Sequence, residues 1–471
     1  MKYLVYAAKI VVYLTFDEYD KNSVYSYYLN DKLWAEGNIT NYTFDKLIAN
    51  TVHHVKVLRD NKVLFEEKIR TLPIRKAIKV EVSDNTGTKV VTKEVQRYLD
   101  MADKTNKIVF PKGTYLCGAL FVRSGTEIYL EKDAVIKGSI KAEDYLPKIK
   151  SRFEGYEVMA YASLINIGEL DHTKEATTHN IIIHGEGTIY GGDRELRFDM
   201  LEKEKDHPII NDRWRNRLIN ISNCSNVVID GLKLGHSASW NVHPTYSDHI
   251  YIHHCDVKSG GLPNGDGIDP DSCHDMDIFA NTFFVGDDCV AIKSGKNPEG
   301  NIINIPCYNL SIFDCVSNGS HGCAIGSEIS GGVYNVDIFN CDFVHSYFGV
   351  HIKTTLKRGG YVKNVRVKHC KASSIYIHLV DYNDDGESAK TITEFSNFSF
   401  EDIAVTGVAI KPDNKIFNQN HILVDGFKDY PLFKDMSFKD ITVIKNNDEE
   451  ERIQITNAVN CVIHNLSYEE E

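Results

Sequence analysis

One short motif recurs along most of the chain: a polar residue followed by three positions that are mainly apolar or that alternate apolar and polar. After a first interval of 46 residues, the copies recur every 23 to 38 residues. A strand that returns at such long, irregular intervals is typical of a β-solenoid with loops of variable length between its coils. The ten copies are Asn180-Ile-Ile-Ile, Asn226-Val-Val-Ile, His249-Ile-Tyr-Ile, Asp275-Met-Asp-Ile, Asn309-Leu-Ser-Ile, Asn335-Val-Asp-Ile, Asn364-Val-Arg-Val, Asn397-Phe-Ser-Phe, Asp435-Met-Ser-Phe and Asn460-Cys-Val-Ile.

The polar residue keeps one place in the motif, and it is usually Asn or Asp. Stacked amides at such a place hydrogen-bond from coil to coil as an asparagine ladder. An all-β sandwich also has alternating strands, but the long period and the fixed polar position favour the solenoid. We therefore predict an all-β chain built around a parallel β-helix.

Two further elements precede the solenoid. Residues 1–75 show short strands with turn signals at Asn30-Asp31 and Asp60-Asn61, and they predict a small β-sandwich that resembles a fibronectin type III module. Thr88 to Asp103 carries apolar residues at helical spacing, with Thr88 as its N-cap, and predicts a helix that caps the open solenoid end. The solenoid domain, with its cap, then occupies residues 76–471. The predicted N-terminal strands are Lys9–Phe16, Val24–Leu29, Leu33–Glu36 and His53–Leu58, and the helical stripe is Val91, Val95, Tyr98 and Ala102.

The composition excludes several classes of partner. A net charge of −13 disfavours nucleic acid, because phosphate binding needs clustered Lys and Arg. No window approaches the roughly 20 apolar residues of a membrane span, and Lys9 interrupts the apolar N-terminus, so we predict neither a membrane partner nor a signal peptide. The eleven cysteines show no CxxC pair, which indicates buried thiols in a reducing cytoplasm and no metal or other cofactor. The oligomeric state is left open.

Four polar clusters lie within ninety residues: Asn264-Gly-Asp266-Gly, Gly286-Asp287-Asp288-Cys289, Ser320-His321-Gly322 and His351-Ile-Lys353. The separations are 21 residues from Asp266 to Asp287, 33 from Asp288 to His321 and 32 from His321 to Lys353. If each stretch is one coil, the clusters stack as a single column in one groove. Asn264-Gly-Asp-Gly alone is an ordinary turn sequence, Asp-Asp pairs are common in turns, and a lone Ser-His-Gly is a weaker signal still. The ordered set of four is what favours a functional site.

Three carboxylates in such a column suit hydrolysis of a glycosidic bond. Inverting glycosidases place an acid and a base about 6.5–9.5 Å apart, with a water between them. Crowded like charges also raise the pKa of one carboxyl, which leaves it protonated at working pH. His321 then orients the acid, and Lys353 offers a positive charge to a substrate carboxylate.

These clusters resemble the four motifs of the polygalacturonases, glycoside hydrolase family 28, which are written NTD, DD, GHG and RIK. Further similar stretches, all between Val90 and Gly360, are Phe110-Pro-Lys-Gly-Thr-Tyr115, Trp240-Asn-Val-His243-Pro, Asp269-Pro-Asp-Ser-Cys273, Asp287-Asp-Cys-Val-Ala-Ile-Lys-Ser-Gly295 and Ile325-Gly-Ser-Glu-Ile-Ser-Gly-Gly332. The resemblance implies a right-handed parallel β-helix that hydrolyses galacturonate linkages with inversion.

The resemblance also implies residue roles. By motif position Asp287 matches the general acid, Asp266 and Asp288 match the pair that activates water, and His321 matches the histidine beside the acid. Lys353 matches the lysine that binds the substrate carboxylate, and Asn264 belongs to the first motif. Trp240 and His243 are interpreted either as a sugar platform or as core residues, and Tyr382 is a further substrate-contact candidate one coil beyond Lys353.

The clusters also depart from the family pattern. Gly265 replaces Thr, a small change if the turn survives. His351 replaces an Arg that would grip a carboxylate with two hydrogen bonds. We hypothesise that the downstream uronate is held more weakly, or that the sugar there is not plain galacturonate. Nearby Lys357 and Arg358 either compensate for the lost Arg or form a solvated loop.

The segment Lys296–Pro306 resembles a loop of exo-acting bacterial members, and a long loop at a groove end selects chain termini. The sequence thus predicts an exo-acting, inverting hydrolase of α-1,4-linked galacturonate oligosaccharides. Three alternatives stay open: a hydrolase of another pectic backbone, such as rhamnogalacturonan or a substituted galacturonan; a polysaccharide lyase; and a non-catalytic, carbohydrate-binding β-helix.

Overall fold

The computed structural model describes residues 1–382, 386–410, 415–445 and 452–470. The chain divides into two compact units. The first is Met1–Ala77 with Lys104–Asn106, and the second is Ile78–Asp103 with Lys107–Glu471.

The first unit is built from two antiparallel sheets. Aromatic rings join them, for example buried Tyr27 and half-buried Tyr42, whose centroids lie 5.5 Å apart. Asn30 and Asp31 both have positive φ, 50° and 61°, which lets a two-residue turn connect its strands. The likeness to a fibronectin type III module stays a prediction. The strands are Lys2–Val5, Ile10–Tyr13 and Asn41–Phe44 in one sheet, and Tyr25–Leu29, Lys32–Gly37, Val52–Arg59 and Lys62–Arg70 in the other.

The second unit confirms the predicted all-β parallel β-helix. Successive motif strands pair in parallel and in register, coil upon coil, for example Ile278 with Ile312 and Ile312 with Ile338. The largest sheet of the described chain contains Lys76–Lys79, Thr86–Val90, Asn106–Phe110, Gly113–Cys117, Glu127–Leu130, Ala134–Gly138, Thr178–Gly185, Thr188–Tyr190, Cys224–Asp230, Lys233–Gly235, Asp248–His253, Asp256–Ser259, His274–Phe279, Thr282–Val285, Cys307–Phe313, Val316–Ser317, Val333–Phe339, Asp342–Phe343, Tyr361–Ala372, Glu394–Val405, Phe433–Lys445 and Val459–Glu470.

A second side of each coil carries shorter strands that also pair in parallel. They are Leu120–Val122, Ile165–Ile167, Ile219–Ser222 and Val242–Thr245, then Val290–Ile292, Cys323–Ile325, Gly349–Thr354, Ser374–Leu379, Ile422–Asp425 and Ile453–Thr456. Single bridges at Ile268 and Asp271 connect the two groups. Between the two sides lies a continuous apolar core, because each strand turns alternate side chains inward.

Two antiparallel hairpins project from the coils: Ile149–Phe153 with Tyr156–Ala160, and Val408–Ile410 with Ile416–Asn418. The helices of the described residues are Thr92–Asp100, Asp193–Lys203 and Glu299–Ile303, and short 3-10 turns occupy Ala142–Tyr145 and Ile210–Asp212. None of these helices is long and apolar enough to cross a membrane.

The polar residue of the repeated motif forms the predicted ladder. Asn335 donates to Asn309 at 3.1 Å, Asn364 donates to Asn335 at 2.9 Å, and Asn397 donates to Asn364 at 2.6 Å. All ten motif positions also have positive φ, between 52° and 62°. Asn and Asp are the non-glycine residues that tolerate this left-handed backbone best. The repeat therefore marks a bend in each coil as well as a ladder.

The capping helix is shorter than predicted. It begins at Thr92 and ends at Asp100, and Thr88 lies instead in the strand Thr86–Val90, so Thr88 is not its N-cap. The apolar stripe is confirmed, because Val91 and Val95 are buried and Tyr98 and Ala102 pack against the core. The side chain of Gln96 accepts a hydrogen bond from the backbone N–H of Phe121 and donates one to its carbonyl. Both backbone groups of Phe121, in an edge strand of the first coil, thereby have hydrogen-bond partners.

Candidate active site

The strand register decides where the four polar clusters lie. Ile268 pairs with Val290, Val290 with Cys323, and Cys323 with Val350. Two residues before each of these positions stand Asp266, Asp288, His321 and Phe348. The backbone bonds agree, since Gly267 N–H donates to Asp288 O at 2.9 Å and Phe348 N–H donates to His321 O at 3.1 Å. Three of the four clusters thus share one row along successive coils, which we call the catalytic row.

The fourth cluster does not lie in that row, so the predicted single column is wrong. Lys353 stands three residues after Val350, and the coil-equivalent position after Val290 is Lys293. His351 stands one residue after Val350, at the position that Asp269 occupies after Ile268. The number of residues between clusters is known from the sequence. The distance of each cluster along the chain from the strand of its own coil is not.

A cavity of about 370 Å³ lies over these rows. Seven of the predicted site residues line it: Trp240, Asn264, Asp266, Asp287, Asp288, Lys353 and Tyr382. His321 adjoins the cavity through Asp287. His243, His351 and Arg358 do not line it, and each of them is buried. Six further lining side chains are Glu154, Asn211, Lys293, Lys296, Ser327 and Glu328.

Asp287 and His321 form a close pair, with Oδ1 and Nδ1 2.8 Å apart. Burial opposes the charge of Asp287, but the hydrogen bond and positive charge of His321, helped by Lys353 and Lys293, lower its pKa to about 2. Burial also opposes the imidazolium, yet the bond to Asp287 raises the pKa of His321 above its usual 6.5. Without substrate, the proton of this pair therefore resides on His321.

Asp266 has the opposite environment. It is 3 % exposed, and burial together with the charges of Asp269 and Asp287 raises its pKa well above 3.8. Asp269 is buried too, and its pKa rises to about 7 although Lys293 lies 3.1 Å from its Oδ1. In the free site the carboxyls with a raised pKa are therefore Asp266 and Asp269. Asp287, which the motif pattern marks as the acid, has a lowered pKa.

Two lysines balance the carboxylates. Lys353 Nζ lies 3.2 Å from Asp288 Oδ2, and Lys293 Nζ lies 3.9 Å from Asp266 Oδ2. Burial disfavours both ammonium groups, but the surrounding carboxylates raise the pKa of each above its ordinary value. Both lysines are therefore cationic in a site that combines negative and positive charges.

Trp240 packs as a core residue. It is 1 % exposed, its ring stacks on Phe153 at 4.8 Å, and Lys293 Nζ lies 4.6 Å from the ring centroid. These contacts favour the core interpretation over the sugar platform, although one edge reaches the cavity. His243 is fully buried below it, 3.5 Å from Asp271, and its burial lowers its pKa to about 4.

Of the remaining candidates, some stabilise the structure around the cavity and others line it. Arg358 is fully buried and donates to Ser327 O at 2.7 Å and to Asn297 Oδ1 at 2.6 Å, so it supports a loop and is not part of a solvated one. Asn264 accepts from Arg215 at 2.7 Å. Tyr382 lines the cavity and is half exposed.

Within the described ranges, Asp287, Asp288 and His321 each bring one potential ligand atom within 4.8 Å of the others. All three groups already have charged partners, since His321 pairs with Asp287 and Lys353 pairs with Asp288. A cation here would have to displace an ammonium and an imidazolium. The donor set therefore fits proton transfer better than metal binding.

Sequence reasoning missed six lining side chains and Asp269. Lys293, Asp269 and Glu328 lie inside stretches that resemble the family, so their offsets from the strands carried a usable signal. Glu154 and Asn211 come from an inserted hairpin and a 3-10 turn outside any repeated motif. No local pattern in the sequence indicates that these two reach the cavity.

The family model of glycosyl hydrolases family 28 matches residues 104–462. The chain therefore belongs to this family. A probable polygalacturonase of Vitis vinifera is 34% identical over 271 residues, covering 56% of this chain and 52% of that protein. An exo-poly-alpha-D-galacturonosidase of Dickeya chrysanthemi is 20% identical over 368 residues, and the match covers 68% of this chain and 60% of that protein. The chain thus spans about half to three-fifths of these relatives.

Solved structures support the same fold. A family 28 exopolygalacturonase of Yersinia enterocolitica superposes with a TM-score of 0.80 at 18% identity, over 98% of both chains. A hyperthermoactive exopolygalacturonase of Thermotoga maritima gives a TM-score of 0.68 at 23% identity, over 83% of this chain and 91% of its own.

Proposed function

We propose that this protein is an exo-acting, inverting glycoside hydrolase that removes galacturonate from the end of pectic oligosaccharides with α-1,4 linkages. The observation that carries the proposal is one cavity containing Asp266, Asp287 and Asp288 together with Lys353. Family membership and the names of the relatives support the substrate class.

In this mechanism the Asp287–His321 pair is the general acid. The pair holds one proton, which passes through the carboxyl of Asp287 to the leaving oxygen as the glycosidic bond breaks. Asp288 is held by Lys353 beside Asp266, and this carboxylate pair accepts a proton from the attacking water. The raised pKa of Asp266 favours its protonated form, which cannot accept a proton. The mechanism therefore requires that Asp266 or Asp288 is ionised when substrate is bound.

The exo mode is supported by a wall at the cavity. The hairpin Ile149–Phe153/Tyr156–Ala160 is tied to the segment that follows Lys293: Tyr156 Oη donates to Asn297 O at 2.5 Å, and Glu157 N–H donates to Glu299 Oε1 at 2.6 Å. Glu154 and Lys296 bring this wall to the cavity. A hydrogen-bonded wall beside the cavity supports the exo mode, because an exo-acting enzyme needs a barrier against a continuing polymer.

The test is a product profile on galacturonate oligomers of defined length, comparing the wild type with Asp287→Asn. We expect monomer from one end, released first as the β-anomer by NMR, and its loss in the variant. A mixture of internal fragments would contradict the exo mode, and release of the α-anomer would contradict inversion. An unsaturated, ultraviolet-absorbing product would indicate a lyase. Unchanged binding with no turnover by either protein would indicate the non-catalytic alternative.

We also propose that the protein acts in the cytoplasm. All eleven cysteines are free thiols and ten of them are buried. Burial raises the pKa of Cys117 to about 12, so such thiols are unreactive and fit a reducing compartment. Fractionation of the source cells tests this placement, and recovery outside the cytoplasm would contradict it.

A further inference from the structure

A patch of rings lies next to the Asp287–His321 pair, and we call it the aromatic cluster. Its closest ring centroids are those of Phe348 and His351, 3.9 Å apart, and of Tyr347 and Phe348, 4.2 Å apart. Further contacts between 5.1 and 5.5 Å connect the rest. The members are Tyr347, Phe348, His351, Tyr376, His378 and Phe417.

The aromatic cluster continues the catalytic row by one coil. Phe348 is the coil-equivalent of His321, and its N–H donates to His321 O at 3.1 Å. The His321 ring lies 5.5 Å from Tyr347. The cavity lining contains Asp287 but no member of the aromatic cluster. The proton-donating pair therefore stands between the charged cavity and the rings.

The two sides of this pair differ in charge. The cavity contains three lysines, Lys293, Lys296 and Lys353, which suit a uronate carboxylate. In the aromatic cluster His351 occupies the position at which the family pattern has Arg. His351 is 2 % exposed, its Nε2 lies 2.9 Å from His378 Nε2, and burial together with Lys353 lowers its pKa well below 6.5, so it is neutral.

One guanidinium acts on the cluster from another coil. Arg452 places positive charge near Tyr376, but its side chain is exposed to solvent. Water screens such a charge far more than it screens the buried lysines of the cavity. The rings nearest to His321 are therefore apolar or neutral.

We propose that the aromatic cluster binds the leaving sugar and that this sugar is neutral, so that the bond cleaved joins a terminal galacturonate to a neutral sugar. This inference rests on the proposed hydrolase function. The C–O bond at the anomeric carbon breaks, the leaving sugar keeps that oxygen and takes its proton from the Asp287–His321 pair, and water supplies the hydroxyl to galacturonate while its proton passes to Asp266 or Asp288.

The physical reason is the cost of an unpaired charge. A carboxylate that is partly desolvated against Phe348 and neutral His351 loses water and gains no cation from these rings. The neighbouring ammonium of Lys353 is already held by Asp288, with Nζ 3.2 Å from Oδ2. A neutral sugar instead lays its C–H face on the rings and keeps its hydroxyl groups at the rim. The same site thus discriminates between two leaving sugars that differ in a single group.

The experiment uses two α-1,4-linked disaccharides with galacturonate at the non-reducing end. They differ only at C6 of the leaving sugar, which carries a carboxylate in digalacturonate and a CH₂OH group in galacturonosyl-galactose. We expect the wild type to show a kcat/KM roughly tenfold or more higher for galacturonosyl-galactose. His351→Arg should move this ratio toward digalacturonate, because it restores a cation.

Buried arginine can prevent folding, so Phe348→Leu is the second variant. It should lower kcat/KM for galacturonosyl-galactose by roughly tenfold and that for digalacturonate by much less. A wild-type preference for digalacturonate, or equal losses on both substrates in Phe348→Leu, would overturn the inference while leaving the proposed function intact. Failure of the wild type to hydrolyse either substrate, or any galacturonate oligomer, would overturn the proposed function itself.

Discussion

Two rows of side chains run along the same coils, and they use the repeat in opposite ways. In the ladder row Asn309, Asn335 and Asn364 repeat one residue with one backbone conformation, φ 56° at each, and every amide bonds the next. In the catalytic row the equivalent positions change from Asp288 to His321 to Phe348. The solenoid thus provides constant spacing, and chemistry appears where the residue at a repeated position changes.

The two rows also differ in what they cost the fold. Ladder amides are exposed, neutral and mutually satisfied. Catalytic carboxylates are buried, and Oδ1 of both Asp266 and Asp288 lacks a hydrogen-bond partner among the described atoms. Buried oxygens without hydrogen-bond partners lower the stability of a fold, and they are typical of sites that bind a ligand. We therefore expect ladder variants to change stability and catalytic-row variants to change turnover.

The largest expected effect is on turnover. Asp287→Asn removes the carboxyl that passes the proton to the leaving oxygen, and kcat should fall by roughly 10²- to 10⁴-fold. The matched control is Asp275→Asn in the ladder row, where the new amide oxygen still accepts from Asn309. Its kcat should stay within about twofold of the wild type, since it touches no reacting group. If kcat fell by a similar factor in both variants, the catalytic row would not differ from the ladder row in its effect on turnover.

The next effect is on stability beneath the catalytic row. Lys293→Met leaves Asp269 and Asp266 buried without their nearest cation. Removing one partner of a buried pair costs about 3–5 kcal/mol of unfolding free energy. Urea denaturation measures it, and Lys439→Met, at a solvent-exposed pair with Glu401, is the control that should be unchanged. A Lys293 variant as stable as the wild type would show that these carboxyls are protonated in the fold.

A smaller change is expected in the ladder. Asn335→Ala removes its bonds to Asn309 and from Asn364 and forces alanine into φ 56°, so it should lower the unfolding free energy by about 2 kcal/mol. Asn335→Gly also loses the amide but accepts the backbone without strain. Denaturation of the two variants separates the contributions. Equal losses would mean that the amide bonds, and not the conformation, select Asn.

The smallest effect is the pH dependence of the Asp287–His321 pair. The folded pKa of Asp287, about 2, lies below its unfolded value, so its contribution is present above about pH 4 and is lost as pH falls toward 2. The raised pKa of His321 contributes below about pH 6.5 and is lost as pH rises through the folded value. A difference of about 1 kcal/mol or less is expected, because the pair is partly exposed.

Comparing the unfolding free energy of the wild type and His321→Gln between pH 3 and pH 9 measures this contribution. The curves should lie furthest apart near pH 5, come closer as pH falls to 3, and converge as pH rises to 9. Curves that stay parallel would show that His321 is not protonated in the folded protein.

Local patterns were sufficient for several features. The position of Asn335 and its equivalents predicted the solenoid and its ladder, because each copy carries the same local requirement for a left-handed bend. The helical stripe from Val91 to Ala102 was also predicted, although the N-terminal end of the helix was not, since Thr88 lies in a strand that pairs with Gly113–Cys117. The ordered clusters around Asp266, Asp287 and His321 indicated the chemistry.

The sequence alone therefore determined the repeating fold, the class of the chain and seven of the residues that line its cavity. Only the tertiary structure decided how each cluster is offset from the strand of its coil. These offsets put Lys353 in the same row as Lys293, and they put His351 outside the catalytic row. It also decided the charges: burial and neighbouring carboxyls raise the pKa of Asp266, while His321 lowers that of Asp287. Register and burial depend on residues far apart in the chain, and no local motif encodes them.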